Sequence, residues 1–218
     1  MSNISAVELA EQAPSLADRA YLAIRDLIIR LELAPTEVIS ERELMERLAI
    51  GRTPVREALR RLAQEQLVEV FPRRGMFVTG VDVRDLARIS EVRQALEPAA
   101  ARLAAERAAA DERDELRALL AEIGTGVNLI ELDERIHRAV YRAAHNELMA
   151  TTLGQYYVLA LRIWMIALDR AHGLEEAVEA HRDLLHAIVD GEGERAAALM
   201  RAHVENFEQA MREVLVTV

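Results

Sequence analysis

The run Arg52-Thr53-Pro54-Val55-Arg56-Glu57-Ala58-Leu59-Arg60-Arg61-Leu62 admits few folds. Val55, Ala58, Leu59, Leu62 and Ala63 recur at helical spacing and form one apolar stripe that must be buried. Thr53 is placed to cap the first turn, and Pro54 to take its first position, where a missing N–H costs nothing. Arg56 and Arg60 lie beside the stripe, and Arg52 enters from the loop before it. A guanidinium fork matches a phosphate or the O6/N7 edge of guanine, so this face has the chemistry of a helix that reads DNA. Taken alone, such a stripe is more often a surface helix with solvated arginines. The flanks decide against that.

Upstream, Ala20, Tyr21, Ile24, Leu27, Ile28 and Leu31 share one face of a helix expected over 18–31, which Leu33-Ala34-Pro35 ends. Ser40-Glu41-Arg42-Glu43 has the form of a capping box and opens a short helix through Leu44, Met45 and Leu48. Downstream, Val68-Glu69-Val70-Phe71 and Met76-Phe77-Val78-Thr79 are β-prone, and Pro72-Arg73-Arg74-Gly75 joins them as a basic hairpin tip. Three helices and a basic hairpin make a winged helix-turn-helix, with its third helix in the major groove and its wing on the flanking DNA.

These segments resemble the GntR family of bacterial transcription regulators. The carrying residues are Ser40 to Leu44, Arg52 to Leu59, Leu67-Val68 and Arg73 to Val78. The resemblance implies that Arg42, Arg52 and Arg56 contact operator DNA, with Thr53 on a phosphate and Gly75 at the wing tip; Arg60, Arg73 and Arg74 extend the same basic surface. Three positions depart from the family pattern. Gly51 stands where a Ser usually precedes the Arg, Thr36 replaces a Gly after Pro35, and Gln66 replaces a Gly before Leu67. Losing the Ser removes a phosphate contact or cap worth about 1 kcal/mol, but no base-reading arginine is lost.

At 218 residues the chain has room for two domains, each with its own core. Every basic residue is Arg, and the absence of Cys excludes disulfides and thiolate metal sites. A net charge of −10 argues against indiscriminate nucleic-acid binding. Within 52–74, however, six Arg face three acids, a local basic footprint on an acidic molecule. Neither a signal-peptide pattern nor an apolar run of membrane-spanning length is present, so the expectation is a cytoplasmic protein without a membrane partner. The expected organisation is a flexible tail over 1–15, the winged helix-turn-helix over 16–80 and an all-α bundle over 81–218. Gly80-Val81-Asp82 forms the boundary, and Asp82 is placed to cap the next helix. Breaks near Pro98, Asp111, Gly124-Thr125-Gly126, Asn146, His172-Gly173 and Asp190-Gly191 divide the bundle into six or seven helices, giving a mainly α fold.

Six histidines carry the chemistry of the bundle. Asp133 and His137 are four residues apart and share a face with Val140 and Ala144. His181 shares its face with Leu184, Leu185 and Ile188, and His203 shares its own with Leu199, Met200 and Phe207. His145 and His186 fall off the apolar faces, and His172 sits beside a glycine break. A single inward His is more often a satisfied core residue than a ligand. Four inward ligand-type groups each need a partner, and one metal ion would satisfy them all. The pattern leaves both readings open, because shared faces do not prove convergence.

The C-terminal segments Glu91 to Glu97, Leu132 to His137, Ala143 to Asn146, His181 to Ile188 and Arg201 to His203 are similar to the FCD domain, the effector-binding domain of the FadR branch of the GntR family. With the first domain, the resemblance covers about residues 16–215. It implies a divalent metal bound by Asp133, His137, His181 and His203, zinc first, with nickel or manganese as alternatives, and open positions for water or a carboxylate. Ile136 replaces a common Phe, and Ala180 replaces a Glu before His181; neither change deletes a ligand. Arg93 shares a face with Ile89, Leu96 and Ala100 and is expected inside, either meeting the carboxylate of a small organic or sugar-acid effector or pairing with Glu97, four residues on. Arg162 is a second effector candidate, whereas Trp164 and Tyr156 are expected to pack the core or a dimer interface. The resulting expectation is a homodimeric, ligand-responsive regulator, a repressor by family habit, on a palindromic operator. Two alternatives stand beside it. A metal-dependent hydrolase would need a base, and Glu134 lies about 100° around the helix from Asp133. A purely structural metal would leave the bundle as a dimerisation module.

Overall fold

The computed structural model describes residues 15–82, 84–167 and 174–216. Among these residues it contains nine helices and one three-stranded antiparallel sheet, and it divides into two units after Asp82. The tail expected over 1–15, apart from Ser15, and the break at His172-Gly173 lie outside the described residues.

In the first unit, Ser15 caps helix α1 (Leu16–Ile29) by accepting from the Asp18 N–H at 3.1 Å. The helix therefore starts two residues before the expected span and ends two before its end, with Leu31 turned out at φ 58°. Ala20, Ile24, Leu27 and Ile28 are buried, and α1 packs chiefly on α3. Strand β1 (Val38–Ile39) precedes helix α2 (Glu41–Leu48), where Ser40 accepts from the Glu43 N–H at 3.3 Å. Helix α3 (Arg52–Gln64) buries Val55, Ala58, Leu59 and Leu62 as expected. Its start differs. Gly51 is the N-cap and makes no side-chain cap bond, so Thr53 is the second helical residue rather than the cap. Pro54 still sits in the first turn, where helical N–H groups have no carbonyl to meet.

Strands β2 (Val68–Phe71) and β3 (Gly75–Val78) form the wing, with Phe71 opposite Gly75 and the Arg74 N–H returning to the Phe71 carbonyl at 3.1 Å. The sheet order is β1-β3-β2. The added strand β1 pairs Val38 with Phe77 and Ile39 with Met76. Two residues are too few to show an alternation, so only the hairpin was legible from the sequence.

Two family departures acquire a physical meaning here. Thr36 and Gln66 both hold left-handed backbone, at φ 69° and 61°, where a side chain is strained and glycine is not. Gln66 ends α3 in a tight turn in which the Leu67 N–H reaches back to the Leu62 carbonyl at 2.9 Å, a geometry that selects Gly. Gln66→Gly is expected to stabilise this unit by about 1 kcal/mol. Hydrogen exchange of α3 amides in the full chain should then slow about fivefold; equal or faster exchange would contradict the strain assignment.

The second unit consists of α4 (Asp85–Arg107), α5 (Ala110–Glu122), α6 (Leu129–Ala143), α7 (Glu147–Ala167), α8 (Leu174–Val189) and α9 (Gly193–Val216). Two expectations are corrected. Asp82 does not cap α4, whose N-cap position is Arg84. Pro98 does not break the helix but lies buried inside α4. A mid-helix proline costs about 3 kcal/mol. The cost is borne because α4 is the element the bundle is built on, packed against α6, α7, α8 and α9.

Arg113 of α5 ties two helix ends together. Its guanidinium donates to the carbonyls of Ala105 and Ala108 at the end of α4, and to those of Ile188 and Val189 at the end of α8. It thereby satisfies terminal carbonyls and complements two helix dipoles at once.

Candidate functional site

All eight residues expected to meet DNA are exposed on the first unit. Arg52, Thr53, Arg56 and Arg60 occupy the outer face of α3, Arg42 sits on α2, and Arg73, Arg74 and Gly75 form the wing tip. Gly75, at φ 101°, and Arg73, at φ 65°, make the turn. Arg56 has a partner that sequence reasoning missed. Its Nε donates to both carboxylate oxygens of Glu41, at 2.9 Å each. The pair is half-exposed and contributes little to stability, but it orients the guanidinium. Glu41 was legible only as part of a capping box.

In the second unit, α6 contributes Asp133 and His137 one turn apart, α8 contributes His181 and α9 contributes His203. The spacing on α6 works because Asn128 caps that helix and its apolar face (Leu132, Ile136, Val140) turns inward, carrying both polar residues with it. The structure brings all four together: their ligand atoms lie within 4.8 Å of one another. His137 Nε2 is 3.3 Å from His181 Nε2 and 4.0 Å from Asp133 Oδ2. All four side chains are buried.

Burial holds the His137 imidazole well below its ordinary pKa, reinforced by His181, His203 and Arg93. Burial does the same to His203, with His181 and Arg93 adding to it. For His181 burial also lowers the pKa, against an opposing pull from Asp133 and Glu97. Neutral imidazoles keep a lone pair each, which is what a metal requires.

Around the cluster stand residues that were not singled out from the sequence as supports. The Tyr157 hydroxyl donates to Asp133 Oδ2 at 2.7 Å, and the Tyr141 hydroxyl lies 3.0 Å from His137 Nδ1. Burial pushes both phenols well above their usual pKa, so they stay protonated. Tyr141 had a readable signal, being four residues after His137 on the same face. Tyr157 had none, because α7 is apolar around most of its circumference.

Arg93 is buried as expected, and of its two open partners the structure selects Glu97, whose Oε1 lies 2.5 Å from Arg93 Nε. Burial opposes the charge on Arg93, but Glu97 outweighs it and the guanidinium is held more tightly protonated than usual. Arg162 is buried on α7, and burial lowers its pKa to about 10. Trp164 packs in the core, edge-on to Phe207 at 6.3 Å, whereas Tyr156 is half-buried. His145, off the apolar face as expected, is exposed and 2.7 Å from Glu112; His186 is exposed.

The residues present fit a divalent ion. Three neutral imidazoles and a carboxylate form a nitrogen-rich set suited to zinc, nickel or manganese. Ligand bonds of about 2.0–2.2 Å place ligand atoms roughly 3–4 Å apart, close to the spacing found here. His181 Nδ1 is a buried atom with no hydrogen bond, 3.7 Å from Asp133 Oδ1, so the imidazoles are not yet fully satisfied by the protein.

Residues 16–78 match the bacterial regulatory proteins of the gntR family, and residues 88–206 match the FCD domain. An uncharacterised HTH-type transcriptional regulator of an unstable DNA locus in Streptomyces ambofaciens is 34% identical, the alignment covering 84% of this chain and 80% of that protein. The HTH-type transcriptional repressor RspR of Escherichia coli is 26% identical over 89% of this chain and 88% of its own. Among solved structures, Escherichia coli McbR/YncC superposes with a TM-score of 0.73 at 25% identity, covering 90% of this chain and 99% of that one. Both halves are thus matched in order and relatives align over most of their length: the chain belongs to the GntR family of bacterial regulators that carry an FCD domain, and it is a DNA-binding transcription regulator, not an enzyme.

Proposed function

We propose that this regulator is a metal-dependent sensor of a small organic or sugar acid and acts as a homodimeric repressor in the cytoplasm. The observation that carries the proposal is the convergence of Asp133, His137, His181 and His203, from three helices, in a buried cluster of the FCD domain. In this reading the four residues hold zinc, or alternatively nickel or manganese. When bound, the ion supplies open coordination positions to the carboxylate of the acid. Arg162 is a candidate for the acid's remaining charge. Arg93 serves that role less well than the sequence suggested, because Glu97 already neutralises it. The bundle excludes bulk water from the four ligands and keeps the imidazoles neutral. Repression is the direction suggested by one relative, which is named a repressor. No helix among the described residues is long and apolar enough to cross a membrane, in keeping with a cytoplasmic site of action.

On the DNA side, two copies present their α3 helices and wings to the half-sites of a palindrome. Glu41 occupies Arg56 Nε and leaves both terminal amines of the fork for guanine O6 and N7. Thr53 and Arg52 sit in the first turn of α3, where the helix dipole favours a phosphate. Acid binding relieves repression only if the DNA-competent and incompetent arrangements bind the acid with different affinity.

The test of the reading head is Arg56→Ala, assayed on a duplex selected from a random-sequence library by the parent protein. The expected loss is about 1–3 kcal/mol of specific binding, with relaxed preference at one base pair of each half-site. Unchanged affinity and an unchanged footprint would remove Arg56 from the reading surface.

A further inference from the structure

Glu97 is fully buried in α4, and the site as described so far gives it only half a role. Its Oε1 is taken by Arg93 at 2.5 Å. Its Oε2 is a buried oxygen with no hydrogen bond, 3.6 Å from His137 Nδ1. A buried carboxylate oxygen left without a donor is costly, and native proteins retain such an atom for a reason. The ring nitrogen it faces at that distance belongs to a residue of the Asp and His cluster. The Tyr141 hydroxyl lies 3.0 Å from the same nitrogen and is itself hydrogen-bonded to Glu97, so phenol and carboxylate both face His137 Nδ1 while its Nε2 points at His181.

We propose that Glu97 is a positioning residue for the metal centre: braced by Arg93, it holds His137 as the Nδ1–H tautomer and so keeps Nε2 bare and aimed at the ion. Which imidazole nitrogen carries the proton is set by the acceptor at the other one, and a carboxylate there also raises the basicity of the ligand. The gap of 3.6 Å is a few tenths of an ångström longer than a hydrogen bond, so a small inward shift of α6 or of the His137 ring would close it. Arg93 then has a defined task. It faces Phe207 at 5.2 Å from the ring centroid and is buried beside Glu97, so it fixes the carboxylate rather than waiting for a ligand. The proposal rests on the reading of the cluster as a metal site, but its tautomer component does not.

The experiment uses the full chain, labelled with nitrogen-15 histidine and freed of metal with a chelator. Long-range proton–nitrogen spectra report the tautomer of each imidazole, and cobalt(II) titration reports affinity and the ligand-field spectrum. The parent is expected to show His137 as Nδ1–H. Glu97→Gln is expected to lose 10- to 100-fold in cobalt affinity and to alter the visible band. Tyr141→Phe strands no charge and so remains informative if Glu97→Gln does not fold. It should keep the Nδ1–H tautomer and stay within about threefold of parental affinity, because Glu97 is the deciding acceptor. His137 as Nε2–H in the parent or in Tyr141→Phe would overturn the proposal. Parental affinity and spectrum in a folded Glu97→Gln would do the same. A parent that binds no cobalt would count against the metal reading, and the tautomer spectra of the metal-free protein would still decide the role of Glu97.

Discussion

His181→Ala is expected to lower the affinity for zinc at least about 100-fold. Sites of four protein ligands bind with roughly 10–16 kcal/mol, and an equal share for each ligand is about 3 kcal/mol. His181 is the least replaceable of the four. It is fully buried, lies 3.3 Å from His137 and 3.7 Å from Asp133, and its ring centroid is 4.3 Å from that of His203. Competition against a chromophoric chelator measures the loss, and His186→Ala, on the exposed side of the same helix, serves as the control with unchanged affinity. Equal metal content in His181→Ala and parent would remove this residue from the centre.

Acidification of the metal-free protein is expected to have the other large effect. Unfolded histidines titrate near pH 6.5. In the folded bundle, burial lowers the pKa of His137 and His203 far below that and lowers His181 as well. Between the folded and unfolded values the unfolded chain binds more protons than the folded one. Stability contributed by the neutral imidazoles is therefore complete above about pH 6.5 and is lost as the pH falls from there toward the folded values. An imidazole that stays neutral contributes on the order of 1 kcal/mol per pH unit within that window, and because the three rings touch they take up protons as one coupled set rather than as three independent sites. The groups facing the cluster are Asp133, Glu97, Arg93, Tyr141 and Tyr157; the Arg93 guanidinium stays charged and the two phenols stay neutral throughout. Trp164 is the only Trp in the chain and is buried in the bundle, so urea unfolding followed by its fluorescence reports this unit alone. A midpoint that is flat from pH 7.5 to 5, or that rises, would contradict the buried neutral cluster.

Both results depend on features that the sequence carried in different degrees. Helix α3 was legible because its apolar stripe and its arginines fall on separate faces, and the structure keeps them so. Its first residue was not, because Thr53-Pro54 is a strong start signal that competes with the glycine used as the N-cap. The candidate metal ligands were legible as inward faces, through the four-residue step from Asp133 to His137 and the Leu neighbours of His181. Their convergence was not, since it depends on how α6, α8 and α9 pack. Pro98 shows the reverse case, a strong local breaker overridden by the contacts of α4 with four other helices. Arg93 had two partners open to it. Glu97 wins because a helical step of four brings the carboxylate to the guanidinium without any other element having to move. Thr36 and Gln66 are legible only in combination: the family pattern marks both as missing glycines, and the backbone gives the reason as left-handed φ.

A structural metal and a sensing metal differ in what the ion does for a ligand. The most direct measurement is a thermal-shift screen of zinc-loaded protein against small carboxylic and sugar acids, repeated after chelation. The account predicts that at least one acid raises the melting temperature of the loaded protein and has no effect on the chelated protein. Two results would contradict it. Equal stabilisation with and without metal would place the acid away from Asp133, His137, His181 and His203, and the absence of any shift in a protein that still binds zinc would leave the ion with a structural role only.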